Sequence, residues 1–398
     1  MDIYDAISPL YICTNLLGLS PYGFSREKNN RRYVQSFYSF YYTSILLVSF
    51  LVLYYYVIVR RTSFVTLEFN VITGVVDIFH IYGVSIVVLF IFVCNYYRRE
   101  NVITALNTIH LVDQELMGLG YNLNHKLTKL LITCFLILIF CGMTGLEYIN
   151  CNLFISSVRK YSLVCGVICT TSLTIMMIEE VQFFTYYSLL RNRFKAINDL
   201  LRTKFSNTDD TSNRQIHPVT IINCDKEVIM KLRSLHLQLC FVGRSLNEYF
   251  NIQILLLIGL SFLGFTTNAY YSFDVISDNF INDGNLIVPA AVFWVAAKFI
   301  ELLVISVICT ITKNEINQTG EILYQLKNRY KKSVATQINL FGKQILHCDF
   351  KITALDFFDI DMTLLYGIIG SAATYLTILI QFEIAAKESK RYINVTKN

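Results

Sequence analysis

The chain has 398 residues, 54% of them hydrophobic and 16% charged, against about 25% charged in soluble domains. With 4 Pro, 1 Trp and a net charge of +5 whose basic residues sit in particular loops, it is not a soluble globular domain, and no nucleic-acid partner is expected. The composition predicts an all-α membrane protein that crosses the bilayer several times.

Segment 1–36 holds no apolar core followed by a small-residue cleavage site. No cleaved signal peptide is expected, and the first span directs insertion. Seven apolar segments follow, at 37–59, 71–97, 130–147, 161–183, 252–271, 286–311 and 362–385. No internal repeat links them, which argues against a transporter built from inverted halves. Lys and Arg crowd alternate gaps. Four precede the first span, ten lie between spans four and five counting Arg191, and seven lie between spans six and seven, whereas the gap between five and six has none. This bias places the N-terminus in the cytoplasm and the C-terminal tail, 386–398, outside. Asn394-Val395-Thr396 is then a glycosylation sequon on the outer side.

The inner loops carry their own helical patterns. Apolar residues recur at helical spacing over 194–205 and 228–249, with the polar run 206–214 between them as a linker. Segments 314–332 and 334–347 read the same way. These stretches continue the membrane helices, so 191–251 and 313–361 are expected to form a cytoplasmic anchor bundle. The plainer alternative is a set of amphipathic helices lying on the membrane. The cysteines mostly fall in apolar segments (Cys94, Cys134, Cys141, Cys165, Cys169, Cys309) and read as small hydrophobes. No metal-ligand spacing is present, and no cofactor is expected.

Polar and aromatic residues in the outer halves of the spans are candidates for a ligand pocket. Asp77 and His80 share a face of span two near Tyr82, and pair with each other on the simpler reading. Tyr148 closes span three. Tyr270 and Tyr271 close span five. Phe293 and Trp294 open span six. Tyr and Trp at such depths also belong to the ordinary aromatic belt. Lys298 and Glu301, three apart in span six, read first as an internal ion pair. Asp274, Asp278 and Asp283 make the loop between spans five and six acidic, which either concentrates cations or is only a solvated face.

The last span, 362–385, is patterned rather than uniformly apolar. Gly367, Gly370, Ser371, Thr374, Thr377 and Gln381 form a small and polar stripe, with the bulky residues Tyr375, Ile378 and Phe382 beside it. The glycines predict close approach of helices. The run Thr374-Tyr375, five mostly apolar residues, then Gln381-Phe382 resembles the C-terminal signature of insect gustatory receptors; Thr377 is the one departure among the five. The upstream pattern of His347, Phe350, Ala354, Phe357-Phe358 and Asp361 is similar to the same family. The resemblance implies four subunits around a pore lined by the last span, cytoplasmic helices holding the tetramer, and a pocket for a small-molecule tastant in the outer half of each subunit. By that resemblance Gln381 and Phe382 lie at the pore constriction, with Ile378 below, and family pockets have the chemistry of Tyr148, Tyr270, Tyr271, Phe293 and Trp294.

Physical reasoning agrees with the placement of the constriction. Gln381 lies ~28 Å along the last span from Met362, near the outer face. A ring of Phe382 closes a pore by dewetting, and an uncharged amide replaces part of an ion's hydration shell. Glu383 either rings the outer mouth with carboxylates or faces a neighbouring subunit. Thr374 and Tyr375 are expected to hold helices together by hydrogen bonds.

The expectation is a gustatory receptor of the plasma membrane, in a sensory dendrite by the resemblance. Its partners are a tastant, permeant cations, lipid, and copies of itself or related subunits in a tetramer. Leu376 stands where the sugar-receptor branch carries Glu, which favours the branch called bitter receptors. A G-protein-coupled seven-span receptor is the alternative; the inferred orientation is its reverse, and an Asp-Arg-Tyr and an Asn-Pro-x-x-Tyr are missing from the expected spans. No nucleophile–base pair, metal spacing or phosphate loop supports an enzyme.

Overall fold

The computed structural model describes residues 1–27, 30–62, 71–157, 163–206, 218–277, 287–326, 332–348 and 350–395. In order these form α1 (Ile3–Leu16), the hairpin β1 (Tyr22–Glu27) and β2 (Asn30–Gln35), α2 (Phe37–Thr62), α3 (Val71–Tyr97), α4 (Arg99–Gly118), α5 (His125–Ser157), α6 (Leu163–Ser206), α7 (Pro218–Ser277), α8 (Ile287–Leu326), α9 (Lys332–His347), a short hairpin of β3 (Thr353–Ala354) and β4 (Phe358–Asp359), and α10 (Met362–Val395). Among the described residues five stretches are long and apolar enough to cross a membrane: Phe37–Tyr56, His125–Gly145, Lys226–Tyr270, Val292–Leu326 and Met362–Phe382. Tyr82–Tyr97 is a shorter apolar run in α3.

Helices α6, α7 and α8 have 44, 60 and 40 residues. At ~1.5 Å per residue they are about 60–90 Å long, two to three times the ~30 Å hydrocarbon core. They therefore run on past the spans into a second layer, the base, where α1, α4, α9 and both hairpins pack around them. Its core shows why these stretches are helical. Leu232, Leu239 and Leu246 of α7 recur every seven residues and are buried against Phe194, Leu201 and Phe205 of α6, Leu323 of α8 and Phe341 of α9.

The described residues of 1–36, expected only as a cytoplasmic segment, are folded into this base. Asp2 and Asp5 make a reciprocal capping box at the start of α1, with the Asp5 amide 2.9 Å from the Asp2 carboxylate. The β1–β2 hairpin brings Tyr22, Phe24 and Tyr33 against Tyr4 and Tyr11 of α1, with ring centroids 5.2–5.8 Å apart. Asn107 of α4 pins the outer strand, accepting from the Tyr33 amide at 3.0 Å and the Tyr4 hydroxyl at 2.9 Å and donating to the Tyr33 carbonyl at 3.0 Å. Burial pushes the Tyr22 phenol up to about 12, partly offset by its hydrogen bonds with Ser20 and Tyr186.

Two buried polar clusters tie the layers together. Arg193 of α6 makes a bidentate pair with Asp113 of α4 at 2.9 and 2.7 Å, and His125 Nε2 of α5 lies 3.7 Å from the same carboxylate. Asn95 of α3 donates to Glu179 of α6 at 3.1 Å, and Gln253 of α7 donates to Asn95 at 2.6 Å and to Glu179 at 3.3 Å. All three are fully buried where the spans meet the base. Helix α10 continues to Val395, ten residues beyond the span expected to end at 385. Of the linker 206–214 only Ser206, the last residue of α6, is described; the side chains of Asp274, Asp278, Asp283 and Asn394 lie outside the described residues.

Candidate functional site

The foot of α10 is built by three other elements. Asp361 caps the helix, accepting from the Thr363 amide at 2.9 Å. Those bonds, with Lys313 nearby, hold its carboxyl below the usual range. Lys313 of α8 lies 3.3 Å from Asp359 and 3.7 Å from Asp361, and the Met362 amide donates to Thr310 of α8 at 3.1 Å. The β3–β4 turn places Leu355 and Asp356 in the left-handed region, with φ of 51° and 55°. Non-glycine residues enter that region at a cost of ~1–2 kcal/mol each. Two asparagines of α7 hold it: Asn247 accepts from the Thr353 amide at 2.9 Å, and Asn251 from the Leu355 amide at 2.5 Å. The outer edge of the Phe350 ring meets α7 where only glycine fits; a β-carbon at Gly243 would come within 2.1 Å of it. The motif residues Phe350, Ala354 and Asp361 thus each have a place in one clamp.

Above the foot the same helix is exposed. Leu365, Ile368 and Ala372 are buried against the chain. On the other faces Tyr366 is 69%, Tyr375 55%, Ile378 42% and Phe382 63% exposed. Gln381 is exposed beside them. A β-carbon at Gly367 or Gly370 would meet nothing within 4 Å, so the close helix approach expected at these glycines is not made within one chain. The hydroxyl of Thr374 donates to the carbonyl of Gly370 at 3.0 Å in its own helix, and that of Thr377 to Ala373 at 2.8 Å. Tyr375 packs edge-on against Phe262 of α7, with ring centroids 6.2 Å apart. Within the chain, then, Thr374 bonds inside α10 and Tyr375 meets α7 through its ring. The Glu383 side chain lies outside the described residues.

A second site lies between α5, α6 and α8. A cavity of about 170 Å³ is walled by Leu138, Ile139, Gly142 and Met143 of α5, Leu173, Met176 and Met177 of α6, and Phe293, Trp294 and Ala297 of α8. Three charged residues complete it: Glu180, Lys298 and Glu301. Phe293 and Trp294 meet edge to face with centroids 6.0 Å apart. Lys298 donates to both oxygens of Glu301 at 2.9 and 2.8 Å, and Ser261 of α7 adds a bond to Glu301 at 2.8 Å. The volume is in the class that admits one aromatic ring, since an apolar cavity of about 150 Å³ binds benzene.

Of the pocket residues expected from sequence, Phe293 and Trp294 are brought together here. Tyr270 is buried, at 2% exposed, and is not part of the wall. The side chains of Asp77, His80, Tyr148 and Tyr271 lie outside the described residues. Sequence reasoning missed Glu179 and Glu180. Their signal was present: two adjacent carboxylates inside an apolar span are costly and mark a polar network or a site. It missed the methionine wall as well, because Met is indistinguishable from lipid-facing apolar sequence by composition. Among the described residues no group of three or more side chains is arranged to hold a metal ion.

The profile of the 7tm chemosensory receptors matches residues 7–386. Gustatory receptor 28b of Drosophila melanogaster is 25% identical over 323 residues, covering 75% of this chain and 67% of its own. Gustatory receptor 28a of the same species is 22% identical, covering 100% and 95%. The fold matches the insect olfactory receptor OR5 from Machilis hrabei with a TM-score of 0.69 at 12% identity, over 95% of this chain and 98% of that one. The same receptor in complex with eugenol matches at 0.62 and 12% identity, over 96% and 98%. The architecture shared with that receptor is an all-α, seven-span membrane fold.

Proposed function

The chain belongs to the 7tm chemosensory receptor family, and from that premise we propose that it is a gustatory receptor acting as a ligand-gated, non-selective cation channel. It is a multi-pass protein of the plasma membrane. Four copies surround a pore lined by α10, with the base on the cytoplasmic side as the anchor and Gln381 and Phe382 at the constriction. The observation that carries this reading is the division of α10. Its foot is clamped by its own chain, while Tyr366, Ile378 and Phe382 stay exposed above it. A helix that only anchored the chain in lipid would not need glycines on an uncontacted face, or Gln381 near its end.

The cavity beside Trp294 is the ligand site in this reading. The related receptor structure with eugenol supports a small organic ligand, and the names of the curated relatives support taste as the sense. A ligand that prefers the cavity of the open state shifts the closed–open equilibrium by its difference in affinity. Leu376 favours the bitter branch of the family. The test is ligand-evoked current from this chain expressed alone, screened against plant alkaloids and sugars. An evoked cation current is expected, with Trp294→Ala raising the half-maximal concentration about tenfold at unchanged ion selectivity. No current from protein shown to be at the surface contradicts the reading.

A further inference from the structure

The cavity holds two carboxyl groups and one ammonium. Lys298 is taken up by Glu301, which it meets through both oxygens, and Ser261 completes that carboxylate. Glu180, on the facing helix α6, lines the same cavity half-buried. Among the described residues its carboxyl makes no hydrogen bond and no direct ion pair; Lys298, whose ammonium is held by Glu301, acts on it only at longer range. One ammonium therefore serves two carboxyl groups between apolar walls, where a carboxylate without a cation of its own is expensive and a cation brought to it is favoured.

We propose that the ligand is a small aromatic molecule carrying a protonated amine, whose ammonium pairs with Glu180 and whose ring packs on the Phe293–Trp294 edge. The proposal rests on the reading of this cavity as the ligand site. A ligand ammonium gives Glu180 the direct partner it lacks. A bound metal ion fits poorly, because hard cations take six or more oxygen ligands and the rest of the wall is Leu, Ile, Met and aromatic carbon. Apolar walls with one charged anchor instead select an organic cation. The related receptor's eugenol is uncharged, so this property belongs to the residues of the present chain.

Trp294 is the only tryptophan in the chain, so its fluorescence reports on the cavity without a label. The purified full chain is titrated with phenethylamine and with phenylethanol, its neutral match in size. The amine is expected to change the emission saturably with a midpoint about tenfold lower than the alcohol's. Glu180→Gln removes that advantage and leaves the alcohol midpoint within about threefold, which also shows that the variant is folded. Equal midpoints in the unmodified chain, or an amine advantage that survives Glu180→Gln, overturn the cationic ligand while the cavity remains a binding site. Ala297→Phe, which fills the cavity, separates the other failure. If neither compound binds the unmodified chain, or both bind this variant unchanged, the cavity itself is not the site and the proposal falls with it; loss of both on filling the cavity supports it.

Discussion

The two ends of α10 follow opposite rules. At the foot, Asp361, Met362 and the preceding hairpin are held by Thr310 and Lys313 of α8 and by Asn247, Asn251 and Gly243 of α7. At the upper end, Ile378, Gln381 and Phe382 meet solvent or lipid in the single chain. The foot is packed by its own chain, and most of the upper helix is not. A structure arranged this way has a fixed lever at one end and an adjustable surface at the other. In the proposed channel, movement of α8 beside the cavity would reach α10 through the clamp, since α8 contributes to both.

Substitutions in the base should therefore unfold the chain, and substitutions in upper α10 should leave it folded. The largest effect is expected at Arg193→Ala, which strands buried Asp113. Losing one partner of such a pair costs about 3–5 kcal/mol, and the variant should fail to reach the cell surface. Gly243→Ala drives a β-carbon into Phe350. It should cost about 1–3 kcal/mol as an overpacking change, read as a lower thermal midpoint. Normal stability in either variant would break the contrast.

The aromatic cluster of the base gives a third expectation. The Tyr22 phenol is raised from 10 to about 12 by burial, so its neutral form is the one the fold stabilises. That contribution is complete below pH 10 and is lost as pH climbs towards 12. Thermal midpoints measured across that interval should fall, and Tyr22→Phe should flatten the decline. A profile flat to pH 12 in the unmodified chain would show that the hairpin is not held by these phenols.

Much of this architecture was legible before the structure. Long apolar runs mark membrane helices because the bilayer demands them, and apolar residues at helical spacing mark 228–249 as a helix beyond the span. The α1 capping box and the hairpin were also written in Asp2, Asp5 and the tyrosines. They escaped notice because a 36-residue polar and aromatic lead has no single period. The clamp was visible only as a family pattern, since what Phe350 needs is a glycine more than 100 residues earlier, at position 243. The cavity was half legible. Phe293 and Trp294 stood out as aromatics, whereas Glu180 acquires meaning only when Glu301 proves to have taken Lys298. Pairwise satisfaction of charges is a property of three dimensions.

The smallest expected effect on stability is also the most telling. Phe382 is 63% exposed, so Phe382→Ala should change the stability of the single chain by less than about 0.5 kcal/mol. In cells with matched surface levels, the same substitution should raise the ligand-independent current, because on the proposed assignment it removes the ring that closes the pore. Resting and evoked currents identical to those of the unmodified receptor would contradict the assignment of upper α10 to a pore.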